Sequence, residues 1–203
     1  MELGICMRDL PVEQVVHLGR FAEDHNYSAI YLPETGNRTP EGGLAGRSPW
    51  ISLAAMFAAT TTVHGAVGVA AAPFRSLPHL ALSAATLNEQ SDGRFSLGIG
   101  VSHREAAARL GVPFPTSPLR WMEVACDELM GQARFGVTFG QGFPVLVGAL
   151  GPKMVELGAA RSDGLVLNWL TPQHAQETVA LAHEIGRANG RTPHTVLYVR
   201  LSP

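Results

Sequence analysis

A chain of 203 residues, 46% hydrophobic and 16% charged, carries enough apolar material for a substantial core and does not have the composition of a disordered polypeptide. Its formal net charge of −2, with no basic cluster, argues against nucleic acid as a partner. No apolar stretch reaches the ~20 residues that cross a bilayer, and the chain opens on a strand-like run, so neither a membrane role nor a signal sequence is expected.

The first strand-like run, Leu3–Met7, leads through Arg8, Asp9 and Leu10 to Pro11 and a helical pattern, with apolar or small residues at Val12, Val15, Val16, Gly19 and Ala22. A second run, Ser28–Leu32, ends beside Glu34, and Ser48-Pro49 then reads as a helix N-cap and first helical residue. The third run, Val63–Val69, passes into Ala70, Ala71 and Ala72 and on to Pro73-Phe74-Arg75. The fourth, Phe95–Ile99, ends in Gly100, Val101, Ser102 and His103, and Ser117-Pro118 opens a further helix. The fifth, Pro144–Val147, runs through Gly148, Ala149, Leu150 and Gly151 to a helix opening at Pro152. The sixth is Gly164–Leu167; Thr171-Pro172 starts the next helix, Asn189-Gly190 closes it with a left-handed cap signal, and Thr195–Leu201 is the seventh run.

Strand and helix alternating in this way call for a parallel sheet covered by helices. An open doubly wound sheet is the weaker form, because no GxGxxG turn follows the first strand and Gly98-Ile99-Gly100 lacks its third glycine. A closed β/α barrel is favoured, since Glu34, Arg75, Ser102 and His103 follow the ends of different strands and a barrel gathers such ends on one face. Cys6 and Cys126 have no metal or redox spacing and sit in apolar patterns, which predicts reduced, buried thiols in a cytoplasmic protein. His64, His79, His174 and His194 lack ligand spacing, so no metal is expected.

The fifth junction has the chemistry of a phosphate cradle. A strand emptying through glycines onto a helix N-terminus presents unpaired N–H groups and the positive end of the helix dipole, with Lys153 beside them. An ordinary strand-to-helix turn would use the same glycine and proline.

Taken in order, Tyr31-Leu32-Pro33-Glu34, Pro49-Trp50-Ile51, Gly65-Ala66-Val67-Gly68-Val69, Pro73-Phe74-Arg75, Asn88-Glu89-Gln90-Ser91-Asp92-Gly93-Arg94-Phe95, Leu110-Gly111-Val112-Pro113-Phe114, Val147-Gly148-Ala149-Leu150-Gly151-Pro152 and Ser162-Asp163-Gly164 resemble the bacterial-luciferase-like superfamily of flavin- and deazaflavin-dependent oxidoreductases, especially its coenzyme F-420 branch. The resemblance covers nearly all of the chain. It implies one TIM-type (β/α)8-like barrel domain over residues 1–203, incomplete at its C-terminus. It also implies that the last strand–helix unit is missing and that the usual insertion is reduced to Gly131–Phe143.

The same resemblance implies that Gly68, Val69, Ala70 and Ala71 run under the cofactor ring, often through a non-proline cis peptide, although Ala70-Ala71-Ala72 alone reads equally as close packing. Val101 and Ser102 match the turn near the cofactor's phosphate or ring edge, and Gly148, Ala149, Leu150 and Gly151 match the phosphate-cradling backbone. Where relatives often carry an acid followed by histidine, this chain has Glu34 followed by Thr35, which cannot titrate near neutral pH. Glu34 and His103 are the candidate catalytic residues, His103 reading either as phosphate donor or proton relay, or as an ordinary solvent-facing helix start. Arg75 reads as a holder of an anionic group or as the partner of a carboxylate.

The implied activity is hydride transfer between coenzyme F-420 and a small organic substrate. Alternatives are an FMN-dependent monooxygenase served by a separate flavin reductase, or a non-catalytic flavin-binding or partner subunit. Met7 and Trp169 suggest a mostly hydrophobic pocket. Seven strands would leave two sheet edges open, which predicts a homodimer or larger homo-oligomer.

Overall fold

The computed structural model describes residues 2–131 and 136–200. Part of the shortened segment Gly131–Phe143, and the end of the seventh expected strand at Leu201, therefore lie outside the described residues. In chain order the elements are β1 (Gly4–Cys6), α1 (Val12–Asp24), β2 (Ala29–Leu32), β3 (Asn37–Arg38), β4 (Leu44–Ala45), α2 (Pro49–Phe57) and β5 (His64–Ala71). A 3-10 turn (Ala72–Phe74) leads to α3 (Leu77–Gln90), β6 (Phe95–Gly100), α4 (Arg104–Leu110), α5 (Pro118–Met130) and β7 (Val145–Ala149). The chain continues with α6 (Pro152–Arg161), β8 (Gly164–Leu167), α7 (Pro172–Ala188) and β9 (His194–Leu197).

Seven strands form one parallel sheet in the order β1-β2-β5-β6-β7-β8-β9, while β3 and β4 make a small antiparallel hairpin after β2. All seven strands stand in the sheet in chain order because each crossover returns the backbone beside the strand it left, as right-twisted strands require. The sheet curls far enough that Tyr198, one residue past β9, donates its hydroxyl hydrogen to the Gly68 carbonyl on β5 at 2.8 Å. This is a β/α barrel wall of seven strands, with β1 and β9 at its two ends.

The outer faces of the strands pack on the helices. Val67, Leu97, Ile99, Val145, Val147, Leu165 and Leu167 are buried together with Leu53, Met56, Leu80, Met122, Leu129 and Val155 in one core cluster. Contact is close where helix meets sheet. A Cβ on Gly158 of α6 would come within 2.3 Å of Leu165 Cδ2, so that helix could not sit as near with any larger residue.

The loops at the strand N-termini are fixed by polar side chains. Arg94 donates to the Thr60, Val63 and Ser91 carbonyls and lies over the Phe57 ring, tying the loop before β6 to the one before β5. The Glu23 carboxylate accepts from the backbone N–H groups of Thr61, Thr62 and Val63. Asn88 bridges α3 to the loop before β7 through the Gln141 and Gly142 carbonyls.

Prolines open α2, α5, α6 and α7 where expected, but Pro11 stands just outside α1. Of the expected N-caps, only Thr171 accepts a backbone N–H with its side chain, from His174; Ser48 and Ser117 occupy the position without that bond. Ser76 caps α3, its side chain accepting from the His79 N–H.

Two expectations are revised, and one pair of elements is new. The strand β7 continues through Gly148 and Ala149, which pair with Val166 and Leu167, so only Leu150 and Gly151 form the turn before α6. Cys126 is buried as expected, whereas Cys6 is exposed, because it stands on an end strand paired on one side only. The hairpin after β2 carries no apolar alternation in its two-residue strands, and periodicity cannot register elements that short.

Candidate functional site

All seven strands of a parallel wall point their C-terminal ends to one face, and that face collects the unusual features of the chain. Three non-glycine residues with positive φ stand two or three positions past strand ends: Asp9 (φ 60°) after β1, Ser102 (φ 60°) after β6 and Trp169 (φ 61°) after β8. Such conformations cost of order 1–3 kcal/mol each and persist where the surroundings impose them. The large apolar side chains Met7, Leu150, Trp169 and Val199 are exposed on loops beyond strand ends, Trp169 at 67%, and Leu44 is exposed on the β3–β4 hairpin. Arg200 stacks its guanidinium on the Trp169 ring, 3.6 Å from the centroid.

The Gly68–Val69 bond is cis, within the segment where the family resemblance implied one. Between the register pairs Val67↔Leu97 and Ala70↔Ile99, β5 spends one more residue than β6, a bulge. Both residues at that irregularity face the barrel interior. A Cβ on Gly68 would meet Tyr198 Oη at 2.2 Å, and the Val69 side chain lies over Gly98, Gly100 and Gly148, whose added Cβ atoms would stand 2.9, 2.8 and 3.3 Å from it. The Gly98-Ile99-Gly100 run thus gives Val69 room; it is not a dinucleotide fingerprint.

Glu34 and Arg75, singled out separately in the sequence, are partners. The Arg75 guanidinium donates to both Glu34 oxygens, through Nε at 2.9 and 3.2 Å and through Nη2 to Oε1. Trp50 Nε1 donates to Oε1 at 3.4 Å and the Ala71 N–H to Oε2 at 3.1 Å, while the Glu34 N–H donates to the Val69 carbonyl at 3.2 Å. One residue therefore grips the segment after Gly68 at two points. Arg75 also lies 5.5 Å over the Trp50 ring. Thr35, in the position that relatives often give to histidine, donates its hydroxyl to Asp9 Oδ1 at 2.5 Å, joining the loops after β1 and β2.

Among the other candidates, Val101 and Ser102 stand at the end of β6 and His103 is exposed as the N-cap residue of α4, with no side-chain capping bond. Ala70 is buried and Ala71 half-buried at the end of β5. At the start of α6 no side chain caps the helix, Gly151 is the N-cap residue, and Lys153 is exposed two residues later. Nothing in the sequence marks Tyr198 as a site residue or joins it to Tyr31 and Cys6, which it meets in the structure. Tyr31 and Tyr198 meet edge to face at 5.8 Å inside the wall. Burial raises the pKa of both phenols, and it raises that of the Cys6 thiol despite a hydrogen bond with Tyr198. A tyrosine one residue past a strand carries no local pattern that separates it from a surface residue.

The model of the luciferase-like monooxygenase family matches residues 7–202. The chain belongs to that family. It is 26% identical over 202 residues to the 5,10-methylenetetrahydromethanopterin reductase of Methanolobus tindarius, spanning 92% of this chain and 59% of that protein. An F-420-dependent secondary alcohol dehydrogenase in complex with an F-420–acetone adduct superposes with a TM-score of 0.80 at 16% identity, covering 97% of this chain and 68% of the dehydrogenase. The oxygenating constituent of 3,6-diketocamphane monooxygenase from Pseudomonas putida, in complex with FMN, superposes with a TM-score of 0.72 at 17% identity over 97% of this chain and 66% of its own. At such identities the two structures establish the luciferase-like fold, and the chain spans little more than half of the curated reductase.

Proposed function

We propose that this luciferase-like chain binds the ring and phosphate of coenzyme F-420, or alternatively of FMN, at the C-terminal mouth of its barrel, as part of an oxidoreductase acting on a small organic molecule. The observation that carries the reading is the Gly68–Ala71 segment, gripped by Glu34, with Met7, Leu150 and Trp169 exposed on the loops after β1, β7 and β8 at the same end of the sheet. A flat ring needs a fixed backbone that it can approach closely, apolar walls and a few polar anchors, and these residues supply all three.

The donor set fits the phosphate end as well. The uncapped N-terminus of α6 offers backbone N–H groups around Gly151, the helix dipole favours an anion there, and Lys153 adds a positive charge. When bound, either cofactor supplies the hydride chemistry, and the protein supplies position. Glu34 orients the ring-side backbone through Ala71 and Val69, its carboxylate being engaged by Arg75. His103, exposed at the N-cap position of α4, is the candidate residue for donating to the cofactor phosphate or relaying a proton.

The engagement of Glu34 by Arg75, together with Thr35 in place of a titrating neighbour, favours a second reading, a flavin-binding partner subunit without its own turnover. If FMN is the cofactor of an oxygenating enzyme, a separate flavin reductase is the implied partner. We place the protein in the cytoplasm, where its two unpaired cysteines stay reduced, and expect a homodimer or larger assembly that covers the β1 and β9 edges.

Leu150→Asp tests the site, since it sets a carboxylate on the turn that leads into the helix N-terminus. Affinity for F-420 and FMN should fall about tenfold or more, equivalent to about 1.4 kcal/mol. Unchanged affinity for both would remove the phosphate assignment.

A further inference from the structure

Gly68 has no register partner on either neighbouring strand. The pairing of β5 with β2 ends at Leu32↔Val67, and its pairing with β6 skips from Val67 to Ala70. A backbone carbonyl released from a ladder and turned toward a barrel interior needs another donor. Tyr198 supplies it from the far side of the wall, its hydroxyl 2.8 Å from the Gly68 oxygen.

The phenol is itself well fixed. The Tyr198 N–H donates to the Leu167 carbonyl at 2.9 Å, extending the β8–β9 ladder by one residue, so the side chain leaves from a paired backbone. Its ring rests on the edge of Tyr31, and Gly68 has no side chain because a Cβ there would stand 2.2 Å from the hydroxyl and 3.2 Å from Tyr31 Cδ1. Glu34 holds the segment from Val69 to Ala71 on the β2 side, and Tyr198 reaches the Gly68 carbonyl from the end of β9.

We infer that Tyr198 is a positioning residue for the cofactor: its hydroxyl fixes the Gly68 carbonyl and, with Glu34 at the other end, sets the height and tilt of the Gly68–Ala71 backbone against the ring. The inference rests on the cofactor reading above. It adds a residue just past the last strand of the wall to the polar groups contributed from the β2, β5, β6 and β7 ends. It also explains why a tyrosine, and not a phenylalanine of the same shape, stands at the end of β9.

The test compares the purified chain with Tyr198→Phe by titrating coenzyme F-420 and FMN and recording absorbance and fluorescence of the bound ring, with thermal unfolding measured alongside. The variant should bind whichever cofactor the unaltered chain binds five- to tenfold more weakly, with a displaced long-wavelength absorption band. A role in folding alone would lower the unfolding temperature and leave the spectrum of the bound ring in place. Gly68→Ala provides the second arm. It should weaken binding through the clash with the hydroxyl, and adding Tyr198→Phe to it should recover part of the loss. Affinity within twofold of the unaltered chain and an unmoved spectrum in Tyr198→Phe overturn this inference while leaving the cofactor reading intact. Failure of the unaltered chain to bind either cofactor overturns both.

Discussion

Glu34→Gln separates an anchoring role from a purely chemical one. In the structure the carboxylate is partly buried, its side chain 14% exposed, and it accepts from Arg75, Trp50 and the Ala71 N–H, while Arg75 itself is 41% exposed. Glutamine keeps one acceptor oxygen but turns an NH2 group toward either the guanidinium or the Ala71 N–H. Charge-assisted hydrogen bonds contribute about 1.5–3 kcal/mol and exposed ion pairs about 0.2–1. With the arginine side open to water, we expect a loss of about 1–2 kcal/mol. For a chain of this size that lowers Tm by about 2–8 °C. Differential scanning calorimetry of wild type, Glu34→Gln, Arg75→Met and the double variant gives the coupling directly, expected at about 1 kcal/mol. A Tm within 1 °C of wild type for Glu34→Gln, or zero coupling in the cycle, would refute the view that Glu34 anchors the mouth. Cofactor affinity should fall with stability, because the Ala71 N–H loses its charged acceptor.

Two further outcomes follow from groups away from the mouth. Burial pushes the Glu23 carboxyl up, but hydrogen bonds from the Thr62, Val63 and Thr61 N–H groups and the Thr62 hydroxyl outweigh it and hold the pKa at about 2, below the ordinary 4.5. The stability this gives is therefore present above about pH 4.5 and lost as pH falls toward 2; for an exposed carboxylate, screening leaves about 1 kcal/mol, so the Tm gap between wild type and Glu23→Gln should close across that range. Cys126 is buried, with its thiol pushed up to about 12, whereas Cys6 is exposed although local desolvation raises its thiol as well, so a thiol reagent at pH 8 should modify Cys6 first in the folded protein and both cysteines after denaturation.

The wall of parallel strands was legible because most of its strands are short apolar runs that lead to a helix opened by proline, and those signals are local. The glycines were legible as turn signals but not in their actual role. Gly98, Gly100 and Gly148 lie apart in sequence and clear space for one side chain, Val69, that reaches them only after the sheet has curled. The Glu34–Arg75 pair was half visible: both residues stood out at strand ends, yet their 41-residue separation gave no reason to join them. Tyr198 was invisible for the same reason at greater range, 130 residues from Gly68. Local chemistry predicts elements, whereas the site is assembled from contacts that exist only in the closed wall.

The central claim is that the mouth of this barrel holds a flavin-type cofactor. Titration of coenzyme F-420 and of FMN into the purified chain, followed by fluorescence and confirmed by mass spectrometry of the complex, tests it most directly. Saturable binding of one of them with a stoichiometry of one per chain, weakened by Leu150→Asp and by Glu34→Gln, is the predicted result. Absence of saturable binding of either cofactor to the folded protein would contradict the account.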